Sequence, residues 1–178
     1  MEGYISVPVI FLDRDGVINK QAAPHEYITD WADFVILPGV YEALRMFNTA
    51  GFRVFVVTNQ RGIARKMTTL EQVNALHRRM LDDFREHNCT VDGIYICPHN
   101  ISDNCSCRKP KTGLLVQAQK ELESGSGLTV DKSHSWMIGD SQSDIDAGRN
   151  YGVNTFLADS ESRNLLFAAR KILEGRNA

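Results

Sequence analysis

The chain has 178 residues, 43% hydrophobic and 24% charged, with 20 Lys and Arg against 22 Asp and Glu. That length suits one globular domain with a sizeable core. The formal net charge of -2 and pI near 6.2 supply neither the basic field that draws nucleic acid nor the polybasic patch that draws anionic membranes.

The longest apolar runs, such as Val7–Leu12 and Val54–Val57, are strand-sized, whereas a membrane span needs about 20 apolar residues. Met1–Ser6 lacks a basic stretch leading into an apolar one, so no signal peptide is read. The expectation is a cytoplasmic monomer with neither nucleic acid nor membrane as a partner.

In chain order, Val7–Leu12 reads as a continuous apolar strand that ends at Asp13. Val35–Pro38 leads into a helix with Val40, Leu44 and Phe47 on one face, stopped by Gly51, and Phe52–Val57 is a second strand. Thr68 and Thr69 precede Glu71 and Gln72 at the spacing of a capping box. The helix that follows carries a stripe of Val73, Leu76, Met80 and Phe84.

Val91–Cys97 is a third strand, Gly113–Leu122 a helix, and Ser135–Gly139 a short fourth strand. Ser124–Gly127 reads as a surface loop. Ile145–Tyr151 is a helix ended by Gly152, Val153–Ala158 a fifth strand, and Glu161–Leu173 a closing helix with Leu165, Leu166, Ala169 and Leu173 inward. No internal repeat is present. Strands alternating with helices, and apolar in unbroken runs, predict an α/β fold with a parallel sheet covered on both faces.

Polar residues gather where strands end: Asp13 and Asp15, Thr58 and Asn59, Cys97 and His99, Asp140 and Asp144. In open parallel sheets ligands bind outside the carboxyl ends of the strands, so these clusters are expected on one rim. Two carboxylates two residues apart, Asp13 and Asp15, can face the same side of an extended segment. Adjacent anions repel unless a cation lies between them, and a hard divalent ion such as Mg²⁺ suits oxygen ligands.

A lone D-x-D would read as a solvated turn; an apolar strand running straight into it favours function. Asp140 repeats the pattern at the fourth strand, with Asp144 one turn on. Either residue could simply cap the following helix. Thr58 with Asn59 and Gln60, taken alone, reads as an ordinary strand end. Arg108-Lys109, just before a helix, can hold a phosphate by charge-assisted hydrogen bonds.

Three of the four cysteines lie in C-x-H-x5-C-x-C: Cys97, His99, Cys105 and Cys107. In a cytoplasmic protein such a cluster points to metal rather than disulfides. Three thiols and an imidazole make a closed Cys₃His set of the structural zinc type. Cys89 reads as a spare thiol, and His25, His77, His87 and His134 as surface or satisfied core histidines.

At these residues the sequence resembles the haloacid dehalogenase superfamily of phosphatases. D-R-D-G-V, the Thr58 strand end, Lys109, and Gly139-Asp140 with Asp144 match its motifs in order across residues 11–144. The zinc loop running into C-R-K-P is similar to a narrower branch. That branch holds the D-glycero-D-manno-heptose 1,7-bisphosphate phosphatases and the phosphatase half of the histidinol-phosphatase bifunctional enzyme.

Thr58–Arg65 and Asp92–Tyr95 look more like the heptose enzymes, the short zinc loop more like the histidinol enzyme. Ser141 stands where some heptose enzymes have Lys. The resemblance implies a Rossmann-like three-layer fold over residues 1–178, with no large cap domain and with a zinc-binding loop. It further implies an Mg²⁺-dependent phosphatase working through an aspartyl-phosphate on Asp13.

Asp15 would be general acid and base, held protonated by its neighbours. Asp13, Asp140 and the Asp15 carbonyl would hold Mg²⁺, and Thr58 and Lys109 the transferring phosphoryl group. Asn59, Gln60, Arg61 and Arg108 would contact a small phosphorylated substrate, first of all a sugar bisphosphate, with histidinol phosphate as the alternative. A reading of another class is a non-hydrolytic phospho-acceptor module like a receiver domain. Its acceptor Asp lies on a later strand than its acidic pair, whereas here the third strand ends in Cys97.

Overall fold

Pro8 decides how the chain enters the fold. Proline offers no N–H to a strand ladder, and the expected Val7–Leu12 strand divides there into β1 (Ile5–Val7) and β2 (Val9–Leu12) in the computed structural model, which describes residues 4–24 and 26–176. β1 leaves the main sheet to pair in parallel with β5 (Leu128–Val130).

The remaining elements follow in order: α1 (Val40–Thr49), β3 (Arg53–Asn59), α2 (Leu70–Glu86), β4 (Gly93–Cys97), α3 (Gly113–Ser126), β6 (Trp136–Gly139), α4 (Gln142–Tyr151), β7 (Asn154–Leu157) and α5 (Leu165–Arg176). The main sheet runs β4-β3-β2-β6-β7, all parallel. This is the expected three-layer α/β architecture, and among the described residues neither the 13–39 nor the 60–69 connection carries a separate cap.

Side chains alternate across a strand, so β2 feeds two cores. Ile10 and Leu12 join Val54, Val56 and Ile138 under α1, α2 and α5. Val9 and Phe11 join Phe55, Val57 and Met137 under α3 and α4. Burial on both faces explains why this strand is apolar without alternation.

The α2 stripe packs inward as expected, but His77 joins it. In α5 the buried positions are Leu165, Ala168, Ala169 and Ile172, with Leu166 and Leu173 only partly buried. Leu165 and Ile172 lie seven positions apart, two full turns, which places them on one face.

The Ser124–Gly127 stretch is not a loop. α3 continues to Ser126, and the Gly127 N–H donates to Glu123 O at 3.1 Å behind its last turn. Gly127, at φ +67°, ends it in the left-handed conformation that glycine tolerates. His87 and His134 are exposed surface residues; His25 lies outside the described residues. No helix among the described residues is long and apolar enough to cross a membrane.

Candidate active site

The strand order places β2 between β3 and β6, so the residues leaving these three strands meet on one rim. Asp13 follows β2, and its N–H donates to Ile138 O at 3.0 Å. Asp140 follows β6. Asp144 stands in the first turn of α4, where Ser141 N and Ser141 Oγ donate to its Oδ2 at 3.1 and 2.6 Å.

Carboxylate oxygens of Asp13, Asp140 and Asp144 fall within 4.8 Å of one another. Lys109 enters from the loop before α3. Its Nζ donates to Val57 O at 2.7 Å and to Asp13 Oδ1 at 2.8 Å, and pairs with Asp144 Oδ1 at 2.6 Å.

Gly16 is required twice. It turns the chain at φ +86°, and a Cβ there would come within 2.0 Å of Asp140 Oδ2. Gln21, a residue the sequence motifs did not single out, donates its amide to that same oxygen.

Three carboxylates against one ammonium leave excess negative charge. Burial pushes Asp13 up to about 7; Lys109 opposes this, while the charges of Asp144 and Asp15 add to it. Burial, and then Asp144, raises Asp140 to about 6. Burial works against the Lys109 ammonium, but Asp13 and Asp144 outweigh it and hold its pKa above the usual lysine value. Crowded anions of this kind fit a divalent cation with oxygen ligands. Asp13 and Asp140 each keep one oxygen clear of the side-chain hydrogen bonds above, whereas both oxygens of Asp144 are taken by Lys109 and the helix cap.

Asp15 stands apart from this group. Its carboxylate receives Arg14 Nη2 at 2.9 and 3.0 Å, Asn19 Nδ2 at 3.0 Å and Gln60 Nε2 at 3.0 Å. Burial disfavours the charge, but Arg14 first, then Asn19 and Gln60, hold the Asp15 pKa below the usual carboxylate value. This corrects the expectation of a protonated Asp15: its neighbours are donors, and donors favour the ionised form.

Three of the four residues expected on the substrate also make hydrogen bonds within the site. Gln60 Nε2 bridges Asp15 and Thr58 Oγ1, the latter at 2.9 Å. Asn59 grips the Lys109 backbone in both directions, Nδ2 to O at 3.2 Å and N to Oδ1 at 3.1 Å. Arg61 Nε donates to Asn100 Oδ1 at 2.7 Å. Arg108 and Asn59 line a cleft of about 380 Å³ with Asn100, Asn104, Lys111 and Ser143.

The Cys97, His99, Cys105 and Cys107 ligand atoms gather beside this cleft. Cys97 Sγ lies 3.6 Å from Cys105 Sγ and 3.7 Å from His99 Nδ1, and Cys107 Sγ lies 3.5 Å from Cys105 Sγ and 3.2 Å from His99 Nδ1. A tetrahedron with metal–sulfur bonds of about 2.3 Å has edges of about 3.7 Å, so the four groups fit one zinc-sized ion.

Residues 8–172 match the family model for polynucleotide kinase 3 phosphatase. The chain belongs to this haloacid-dehalogenase-like phosphatase family. It is a phosphoric monoester hydrolase.

The phosphatase is 40% identical over 157 residues to the D-glycero-beta-D-manno-heptose-1,7-bisphosphate 7-phosphatase of Yersinia pestis, covering 84% of this chain and 79% of that protein. It is 37% identical over 166 residues to the histidine biosynthesis bifunctional protein HisB of Legionella pneumophila, covering 93% of this chain and 45% of that one. The crystal structure of the D,D-heptose 1,7-bisphosphate phosphatase from B. bronchiseptica, complexed with magnesium and phosphate, superposes with a TM-score of 0.83 at 27% identity. That match covers 94% of this phosphatase and 99% of that chain.

Proposed function

We propose that residues 1–178 form a single phosphatase domain that removes the C7 phosphate of a heptose 1,7-bisphosphate through an aspartyl-phosphate on Asp13. The observation that carries the mechanism is the placement of Lys109 Nζ 2.8 Å from Asp13 Oδ1, inside a group of three carboxylates at the carboxyl ends of β2 and β6. The substrate rests on similarity to the heptose-bisphosphate enzymes and on the Arg108 cleft.

Asp13 and Asp140, with the Asp15 carbonyl, would hold Mg²⁺, which when bound neutralises the phosphoryl oxygens and the two carboxylates. Lys109 and Thr58 would hold the remaining phosphoryl oxygens. Phosphoryl transfer needs mainly such positioning and electrostatic stabilisation.

An Asp13 carboxylate oxygen attacks phosphorus while the ester oxygen leaves. Asp15 gives that oxygen a proton, then takes one from water as the water attacks the acyl phosphate, which releases phosphate and restores Asp13. Asp15 is ionised in the resting site; the arriving phosphate dianion raises its proton affinity, so it takes a proton from solvent before the ester oxygen leaves and returns one to solvent after phosphate departs. The Cys97, His99, Cys105 and Cys107 group would hold one Zn²⁺ that fixes the loop carrying Arg108 and Lys109. A cytoplasmic, monomeric enzyme remains our reading of the setting.

The test is a panel of heptose 1,7-bisphosphate anomers, histidinol phosphate and a small sugar monophosphate. The bisphosphate is expected to give the highest kcat/KM and Asp13→Asn to give no turnover. Arg108→Ala should weaken the bisphosphate about ten- to a hundredfold and the monophosphate much less, because a lost charge-assisted hydrogen bond is worth about 1.5–3 kcal/mol. Preference for histidinol phosphate overturns the substrate; residual turnover by Asp13→Asn overturns the mechanism.

A further inference from the structure

Arg14 is the largest side chain buried almost completely, at 1% exposure. The catalytic scheme above uses its two neighbours but not Arg14 itself. Its Nε and Nη2 edge faces Asp15, at 3.3, 2.9 and 3.0 Å. Asn19 and Gln60 each reach one Asp15 oxygen, but Arg14 reaches both.

The remaining nitrogen, Nη1, points the other way, to His77 Nε2 at 2.9 Å. One face of the guanidinium lies over Phe34, 5.6 Å from the ring centroid. Phe34 stacks on Trp31 at 5.1 Å, and Arg79 caps Trp31 at 5.5 Å.

A guanidinium is a rigid planar fork. With Phe34 fixing its plane, the His77 contact fixes its rotation within that plane, and so the edge that meets Asp15. His77 is 4% exposed and sits on the core side of α2 among Val73, Leu76 and Met80. Arginine can only donate, so Nε2 must accept, and the ring carries its hydrogen on Nδ1. That Nδ1 has no hydrogen-bond partner among the described residues. An apolar residue here would complete the stripe and remove the unpartnered Nδ1, but it would strand Arg14 Nη1 in the interior, so the contact with Arg14, not packing alone, accounts for histidine. Burial first, and then Arg14, pushes the His77 pKa down to about 3, which keeps the ring a neutral acceptor.

We propose that His77 is a positioning residue for the hydrolysis: through Arg14 it aims the Asp15 carboxylate at the ester oxygen that leaves. This rests on Asp15 as the proton-transfer group of the proposed function, so Asp15→Asn is measured alongside.

The experiment compares kcat/KM, which reports the first displacement, for a sugar phosphate and for p-nitrophenyl phosphate. The aryl leaving group needs little protonation. His77→Leu is expected to lose on the order of tenfold or more on the sugar phosphate and no more than about twofold on the aryl ester, since small misplacements of a reacting group carry penalties of this size. His77→Gln, whose Oε1 can accept from Nη1, should recover most of the loss.

Equal losses on both substrates, no loss on either, or no recovery in His77→Gln overturns the proposal. Should His77→Leu fail to fold, His77→Asn, whose shorter amide does not span to Nη1, is judged by the same criteria. If Asp15→Asn itself loses both substrates equally, the acid role of Asp15 falls. If Asp15→Asn discriminates between them and His77→Leu does not, only the His77 inference falls.

Discussion

Asp144 Oδ1 lies 2.6 Å from Lys109 Nζ, and the two side chains are 1% and 2% exposed. Asp144 therefore joins the helix cap to the lysine and carboxylate group at the strand ends. One oxygen closes the α4 cap through Ser141 and the other holds the lysine that faces Asp13.

Asp144→Asn keeps the volume and removes the charge. Lys109 retains Asp13, so the penalty should fall below that of a fully orphaned buried ion, at about 1.5–3 kcal/mol. For a chain of this size each kcal/mol moves Tm by about 2–4 °C. Calorimetry should show that drop and kinetics a lower kcat. An unchanged Tm together with full kcat would show that the pair is incidental.

Asp13 and Asp140 shift upward on folding, from 3.8 to about 7 and to about 6. Between those limits the folded chain binds more protons than the unfolded one. Stability from these groups is therefore highest near pH 4 and falls as pH rises to about 7. After treatment with chelator, Tm is expected to be lower at pH 7.5 than at pH 5. Asp13→Asn should flatten that slope while abolishing turnover, and Mg²⁺ should raise Tm at pH 7.5 in the wild type only. A Tm that climbs from pH 5 to 7.5 in wild type but not in Asp13→Asn would contradict this sign.

The thiol cluster should hold about one zinc per chain, retained under mild chelation that removes Mg²⁺. Elemental analysis of Cys105→Ser with Cys107→Ser is expected to find none. Activity should fall as well, because Cys107 is followed directly by Arg108 and Lys109. Zinc content equal to wild type in the double variant would refute the ligand set.

Asn59 spans the Lys109 backbone from both sides. Asn59→Asp removes the donor to Lys109 O and sets a charge beside the site. It should lower kcat for bisphosphate and monophosphate alike, with little effect on KM. A change confined to KM for the bisphosphate would return Asn59 to the substrate.

How much was legible in advance differs from residue to residue. Asp13, Thr58, Cys97 and Asp140 each end an apolar run, and strand ends in a parallel sheet share one rim, so the sequence by itself placed them together. It also marked Cys97, His99, Cys105 and Cys107 as a group that the fold brings together, since four side chains within eleven residues can converge without help from the rest of the chain.

What only the tertiary structure decided depends on contacts between distant segments. Arg14 and His77 lie 63 positions apart, and a histidine in an apolar stripe looks the same from sequence whether it fills space or accepts from a buried arginine. Asp15 reads as protonated at rest until Arg14, Asn19 and Gln60 converge on it and favour its charge. The SGSG stretch reads as a loop because serine and glycine are poor helix formers, yet packing of Leu114, Leu115, Ala118 and Leu122 extends the helix through it. Local propensity and spacing are written along the chain; protonation state and hydrogen-bond partner belong to the surroundings, and those exist only once the chain has folded.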